Sequence, residues 1–156
     1  MKRTGQMNVF LYFYFQMSIW FKKYELKDIQ WMSKDTILDT LGIEIMEIGD
    51  QSIKGKMPVD HRTKQPAGIL HGGASVVLAE SLGSIASNLI IDQDKFYCVG
   101  LDVNANHIRP VDKGYVFGTA TPIHIGKKTH VWNIEIKNQA NKLVCISRLT
   151  MAVIEK

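Results

Sequence analysis

Glu80 stands in the middle of a run, Gly72 to Ile91, that holds no other charged residue and no proline. A carboxylate in such surroundings is either paired, here with Ser84 one turn on or with a basic side chain, or it is at work. Burial would raise its pKa towards neutrality and make it a usable base or nucleophile. Gln65-Pro66-Ala67-Gly68-Ile69-Leu70-His71-Gly72-Gly73 leads into the run. The first turn of a helix has unpaired N–H groups and a partial positive charge, and two glycines let a ligand oxygen come close to the backbone. Such a terminus can hold an anion or polarise a carbonyl. The same glycine pair also suits a plain tight turn.

Helix rise connects the two features. Glu80 is eight residues beyond Gly72, which is ~12 Å along a helix axis and more than a Glu side chain spans. If Gly72 polarises a carbonyl, the attacking carboxylate comes from a second, antiparallel copy of the helix. A two-fold dimer supplies that pairing twice.

Two basic segments could serve a polyanion. His107 and Arg109 are two apart before Pro110 and would share one face of a strand. His124-Ile125-Gly126-Lys127-Lys128-Thr129 forms a basic turn. Together they could clamp phosphates as charge-assisted donors, or they are solvated tips. The histidines show no H-E-x-x-H, and no cysteine pair lies near a histidine pair, so no metal is expected. No G-x-S-x-G elbow and no glycine-rich nucleotide loop is present.

These residues need a scaffold to place them. Tyr24–Leu41 should hold one or two small helices, with Thr36–Leu41 stopped by Gly42. Strands are expected over Ile43–Ile48 and Ser52–Val59. One long helix then runs from Gly72 to Ile91, apolar nearly all round and so buried, with small residues that admit close neighbours. Four strands follow: Phe96–Ile108, Tyr115–Ile125, Val131–Asn138 and Leu143–Ile154. That order predicts an α+β fold, an antiparallel sheet wrapped on one buried helix. One helix covers one face of six strands, so the apolar residues of the far face call for an oligomer.

The chain has 156 residues, 46% of them hydrophobic and 22% charged, as expected of a single globular domain. Cys98 and Cys145 are too few for a disulfide framework and fit a reducing, cytoplasmic setting. The net charge of +4 favours anionic partners. Its lysines and arginines are scattered, with no run of five, which argues against nucleic acid. An aromatic-rich run, Val9 to Phe21, is short of the ~20 apolar residues that span a bilayer, so stable membrane insertion is not expected. Residues 1–16 are read as an N-terminal extension (an arm that packs on a neighbour, an interfacial anchor, or sequence upstream of a start at Met17), and residues 17–156 as the domain.

Gln65-Pro66, then Gly68-Ile69-Leu70-His71-Gly72-Gly73-Ala74-Ser75, then Leu78-Ala79-Glu80-Ser81-Leu82-Gly83-Ser84 resembles the helix motif of hotdog-fold acyl-CoA thioesterases. The resemblance is to the glutamate-type 4-hydroxybenzoyl-CoA thioesterase branch, nearest the 1,4-dihydroxy-2-naphthoyl-CoA hydrolases of menaquinone synthesis. It implies that Glu80 is nucleophile or general base on a thioester carbonyl. Gly72, with Gln65 and His71, would polarise that carbonyl or orient the substrate, and Ser84 would hold the water or the thioester end. Gly100, His107-Ile108-Arg109-Pro110 and His124-Ile125-Gly126-Lys127-Lys128-Thr129 match the family's coenzyme A contacts. Coenzyme A is then part of the substrate, with no separate cofactor. The family forms homotetramers, dimers of dimers, with sites between subunits. Two other readings stay open: a hotdog dehydratase or hydratase of 3-hydroxyacyl thioesters, and a non-catalytic acyl-CoA-binding regulator.

Overall fold

The computed structural model describes residues 18–156, so the extension expected over residues 1–16 lies outside the described residues. Near their start, the Trp20 indole N–H donates to the Gly49 carbonyl at 2.7 Å and the Phe21 N–H to that of Leu89 at 2.9 Å. A one-turn helix, α1 (Leu26–Ile29), and a 3-10 turn (Gln30–Met32) follow. Helix α2 (Ile37–Leu41) begins where the Thr36 hydroxyl accepts the Leu38 N–H. It ends, as the sequence predicts, at Gly42, whose φ of 68° lies in the left-handed region that glycine enters without strain.

The six strands are β1 (Glu44–Ile48), β2 (Ile53–Pro58), β3 (Phe96–His107), β4 (Tyr115–Ile125), β5 (Thr129–Asn138) and β6 (Leu143–Glu155). They form one antiparallel sheet in the order β1-β2-β4-β5-β6-β3. Helix α3 (Gly72–Ile90) lies on one face and touches every strand from β2 to β6. Strand alternation drives this packing. Trp132, Ile134 and Ile136 of β5 are fully buried beneath α3, with Leu149 and Met151 of β6 and Leu78, Leu82 and Leu89 of the helix. Each such side chain contributes about 1.5–3 kcal/mol relative to exposure. The Trp132 indole N–H donates to the buried Ser87 hydroxyl at 2.7 Å. Ser87→Ala strands that N–H and should destabilise the protein by about 1–3 kcal/mol, read from urea unfolding.

Several small residues of α3 face the protein's own sheet. Ala79, Gly83 and Ala86 are buried, and a Cβ added to Gly83 would collide with the Leu149 Cδ2 methyl. They admit a close neighbour, as expected, and that neighbour is β6. The helix is long and apolar enough to cross a bilayer, but 56% of that window is buried inside the sheet, as a core helix must be.

One further expectation changes. The far face of the sheet is mostly polar: Thr119, Thr121, Asn133, Glu135, Arg148 and Thr150 stand side by side across β4, β5 and β6. It makes no apolar demand for a partner. The demand comes from β3, whose 12 residues bond only to β6 and leave a long edge open, with Tyr97, Val99 and Leu101 exposed. In β1 a register shift at Met46 turns that residue outward and leaves Ile45 and Ile48 half-buried.

Candidate active site

Val77, Glu80, Ser81, Ser84, Ile85 and Asn88 recur at helical spacing and make one stripe along α3. They line a cleft of about 520 Å³ whose other wall is Trp31, Met32, Ile37 and Leu38, with Gln93. Glu80 is half-buried in this chain, less enclosed than the apolar run suggests, because the stripe faces the cleft instead of the sheet. Among the described residues no hydrogen bond or ion pair holds its carboxylate. The Ser84 hydroxyl donates to Met151 Sδ at 3.7 Å instead. Neither a pairing with Ser84 nor one with a basic residue therefore accounts for Glu80.

Strand β3 makes room for this acid. Its register against β6 shifts between Gly100 and Asp102, leaving Leu101 as an extra, exposed residue. A bulge of this kind re-aims what lies beside it. A Cβ added to Gly100 would lie 2.8 Å from Glu80 Oε1. Gly100 thus stands against the carboxylate. Two residues earlier, burial pushes the Cys98 thiol up to about 11, so it offers no thiolate near neutral pH.

A second cavity, of about 660 Å³, opens at the start of α3 and gathers Gln65, His71, Gly72, His107, Ile108, Arg109 and Pro110. The loop that leads to it is tied down by the buried Thr63, whose hydroxyl donates to the Pro58 carbonyl at 2.7 Å and whose carbonyl accepts the His71 N–H at 2.8 Å. In the first turn of the helix, the Gly73 N–H donates to His71 Nδ1 at 2.8 Å. Those of Ala74 and Ser75 share the His71 carbonyl at 3.0 and 3.3 Å. The Gly72 N–H is left without an acceptor among the described residues.

Two more donors flank it. With Nδ1 accepting, the neutral His71 ring carries its hydrogen on Nε2. Gln65 Oε1 accepts the Ala67 N–H at 2.8 Å, which leaves the Gln65 amide N–H groups unused. The His107 ring lies over Gly72, where an added Cβ would be 2.6 Å from Nε2. His107 ends β3 and Arg109 lies past it, so they share this cavity but not a strand face. The Arg109 guanidinium donates to the Leu143 carbonyl and meets no carboxylate among the described residues.

The other basic segment is at the opposite end. A third cavity, of about 750 Å³, is lined by Ile90 and Ile91 at the end of α3 and by Ile125, Gly126, Lys127, Lys128 and His130. The turn is closed by the Gly126 N–H on the Thr129 carbonyl at 2.9 Å, with His124 exposed beside it. The length of α3, ~27 Å at 1.5 Å per residue, separates this turn from Arg109. Within a single chain the two segments therefore belong to different cavities.

Sequence reasoning did not single out His130, which is 1% exposed with Nδ1 unpartnered and its pKa held below the usual value, chiefly by burial. The alternation that marks Trp132 and Ile134 as inward marks His130 too. Nor did it find Trp31, Met32, Ile37, Leu38 and Asn88. Asn88 was within reach, eight residues from Glu80 on the same stripe. Val77 lines the Glu80 cleft; Val76 does not. Among the described residues no group of three metal-ligating side chains gathers.

An unpaired helix-terminal donor, an unpaired carboxylate on the same helix and one sheet wrapped on that helix define a class. The chain belongs to the thioesterase superfamily, whose profile matches residues 67–145, and it has the hotdog fold. It is a thioester hydrolase. A Vibrio cholerae protein whose name gives it provisional esterase status is 56% identical over 137 residues, covering 88% of this chain and 91% of that one. The 1,4-dihydroxy-2-naphthoyl-CoA hydrolase of Escherichia coli is 46% identical over 136 residues, covering 87% and 99%. The solved structure of a mutant thioesterase from Pseudomonas aeruginosa superposes with a TM-score of 0.87 at 50% identity, covering 89% of this chain and all of that one.

Proposed function

We propose that the protein hydrolyses an acyl-CoA thioester to the free acid and coenzyme A, as a homotetramer built as a dimer of dimers. An aromatic acyl group such as 1,4-dihydroxy-2-naphthoyl is the leading substrate, supported by similarity to the Escherichia coli hydrolase. The observation that carries the mechanism is the separation of the two reacting groups. Glu80 is unpaired in one cleft, and the Gly72 N–H is unpaired in another. Within one chain they do not face a common carbonyl.

A two-fold pairing along the open β3 edge turns two such chains antiparallel and brings Gly72 of one towards Glu80 of the other. The thioester carbonyl oxygen then accepts from the Gly72 N–H, with the Gln65 amide and the His71 Nε2–H as neighbouring donors. Glu80 either attacks the carbonyl carbon, expelling coenzyme A thiolate and leaving a mixed anhydride that water then hydrolyses to the free acid, or takes a proton from the water that attacks and passes it to the departing thiolate. In both routes the water supplies the proton with which coenzyme A leaves as the thiol. Ser84, one turn beyond Glu80, keeps its oxygen lone pairs free to hold that water. Gly100 lets the carboxylate lie flat against β3. The pyrophosphate and ribose phosphate fall to Arg109 with His107, Ile108 and Pro110 on one chain, and to His124–Thr129 on another. The two unpaired thiols, Cys98 and Cys145, support a cytoplasmic location.

Thiol release from a panel of coenzyme A thioesters, with double-bond formation followed in parallel, tests the reading. Thiol release is expected; hydration or dehydration alone would replace it with the dehydratase. Two variants probe the geometry. Arg109→Ala should raise KM for coenzyme A esters about tenfold with kcat little changed, since it removes a charge-assisted bond made equally in ground and transition states. Gly100→Ala should lower kcat by roughly 10–100-fold by pushing the carboxylate off its position, with the melting temperature nearly unchanged because only a flexible side-chain end moves.

A further inference from the structure

The Glu80 cleft contains no lysine, arginine or histidine, whereas each of the other two cavities carries cations. Resting on the thioesterase reading above, this makes it the place for the uncharged acyl end of the substrate. Asn88 and Gln93 line its far end. Asn88 Nδ2 donates to the Ser84 carbonyl at 2.9 Å, Asn88 Oδ1 accepts the Cys98 N–H at 3.1 Å, and Gln93 Nε2 donates to the Asn88 carbonyl at 2.8 Å. That lock stitches α3 to β3 eight residues beyond Glu80, or ~12 Å along the axis. One Gln93 amide N–H is committed to the lock, and among the described residues its side-chain carbonyl oxygen makes no hydrogen bond and stands free as an acceptor. Opposite the helix stripe, Trp31 presents a ring that is 67% exposed, an unusual position for tryptophan unless something flat covers it.

We propose that Trp31 and Gln93 set acyl specificity: Trp31 packs on the face of a compact acyl group, and Gln93 Oε1 accepts a hydrogen bond from a hydroxyl at its far end. The Asn88 lock makes the cleft a ruler that rejects long chains. An aryl group of two fused rings with a distal hydroxyl meets all three demands.

Three probe thioesters test this: 6-hydroxy-2-naphthoyl-CoA, 2-naphthoyl-CoA and palmitoyl-CoA, with binding of the two free naphthoic acids measured by calorimetry. The hydroxylated ester should exceed its parent in kcat/KM by about tenfold, the worth of one neutral hydrogen bond. Palmitoyl-CoA should fall below both by about 10²-fold or more for want of room. Gln93→Leu should erase the hydroxyl preference in both assays, read as the ratio of hydroxylated to parent compound, so that any effect of losing its Nε2 bond to Asn88 cancels. Trp31→Ala should raise KM for both naphthoyl esters about tenfold at nearly constant kcat. Thermal melts should match wild type, Trp31 being largely exposed. If esters are cleaved but neither variant alters the preference or KM, the assignment is wrong while the thioesterase reading stands. If the acids bind with a Gln93-dependent preference and no ester is cleaved, the pocket stands and the hydrolase reading falls. Loss of both refutes both.

Discussion

Glu80→Gln should lower kcat for thioester hydrolysis by about 10³-fold or more, because it removes the group that the proposed mechanism uses as nucleophile or base while keeping the side chain's shape. Folding should barely change, within about 0.5 kcal/mol, since the carboxylate is half-buried and makes no bond that the amide would break. Glu80→Ala should behave alike. The measurement is thiol release beside a thermal melt on the same preparation. Turnover near wild type in either variant would exclude Glu80 from the chemistry. A dead enzyme that also melts much earlier would make Glu80 structural, which its lack of partners argues against. Ser84 is no substitute, its hydroxyl hydrogen being given to Met151.

Two inactive variants, mixed, should recover activity. Gly72 is the first residue of α3, and His71 before it has an extended backbone. Proline is compatible with both conditions and deletes the one unpaired N–H. Gly72→Pro should therefore cost about 10²-fold in kcat, the usual loss for an oxyanion donor, with His107 shifting to admit the ring. Refold Gly72→Pro together with Glu80→Gln. A mixed dimer then owns one site with both groups intact and one with neither. Random pairing makes half of the dimers mixed, so about a quarter of wild-type activity returns if sites are built between chains. No recovery, with mixed dimers confirmed by mass spectrometry, would place both groups in a site of one chain and overturn the two-fold account.

The sequence made the architecture readable because its periodicities are strong. Trp132, Ile134 and Ile136 against Asn133, Glu135 and Lys137 state a half-buried strand directly, and the proline-free stretch after Gly72 states a helix. What stayed hidden depends on register and on contacts distant in the chain. The bulge beside Gly100 depends on how β3 pairs with β6, so the neighbour of Glu80 could not be read from spacing. Trp31 sits in a short 3-10 turn with no periodic signature, yet it walls the cleft. The polar far face was misjudged since strand lengths reveal little about which row of side chains points outward. His107 and Arg109 did end in one cavity, by way of the turn after β3 and not by sharing a strand face.

Strand β3 has consequences beyond its place in the sheet. Its bulge seats Glu80, its last residue covers Gly72, and its outer edge, like that of the shorter β1, has no neighbour within the chain. The strand that shapes both reacting groups is therefore the strand through which two chains would join. Under the two-chain reading, chemistry follows the concentration of protomers: dilution silences the enzyme before any single chain loses its shape, and a nascent chain remains inert until it meets a sister.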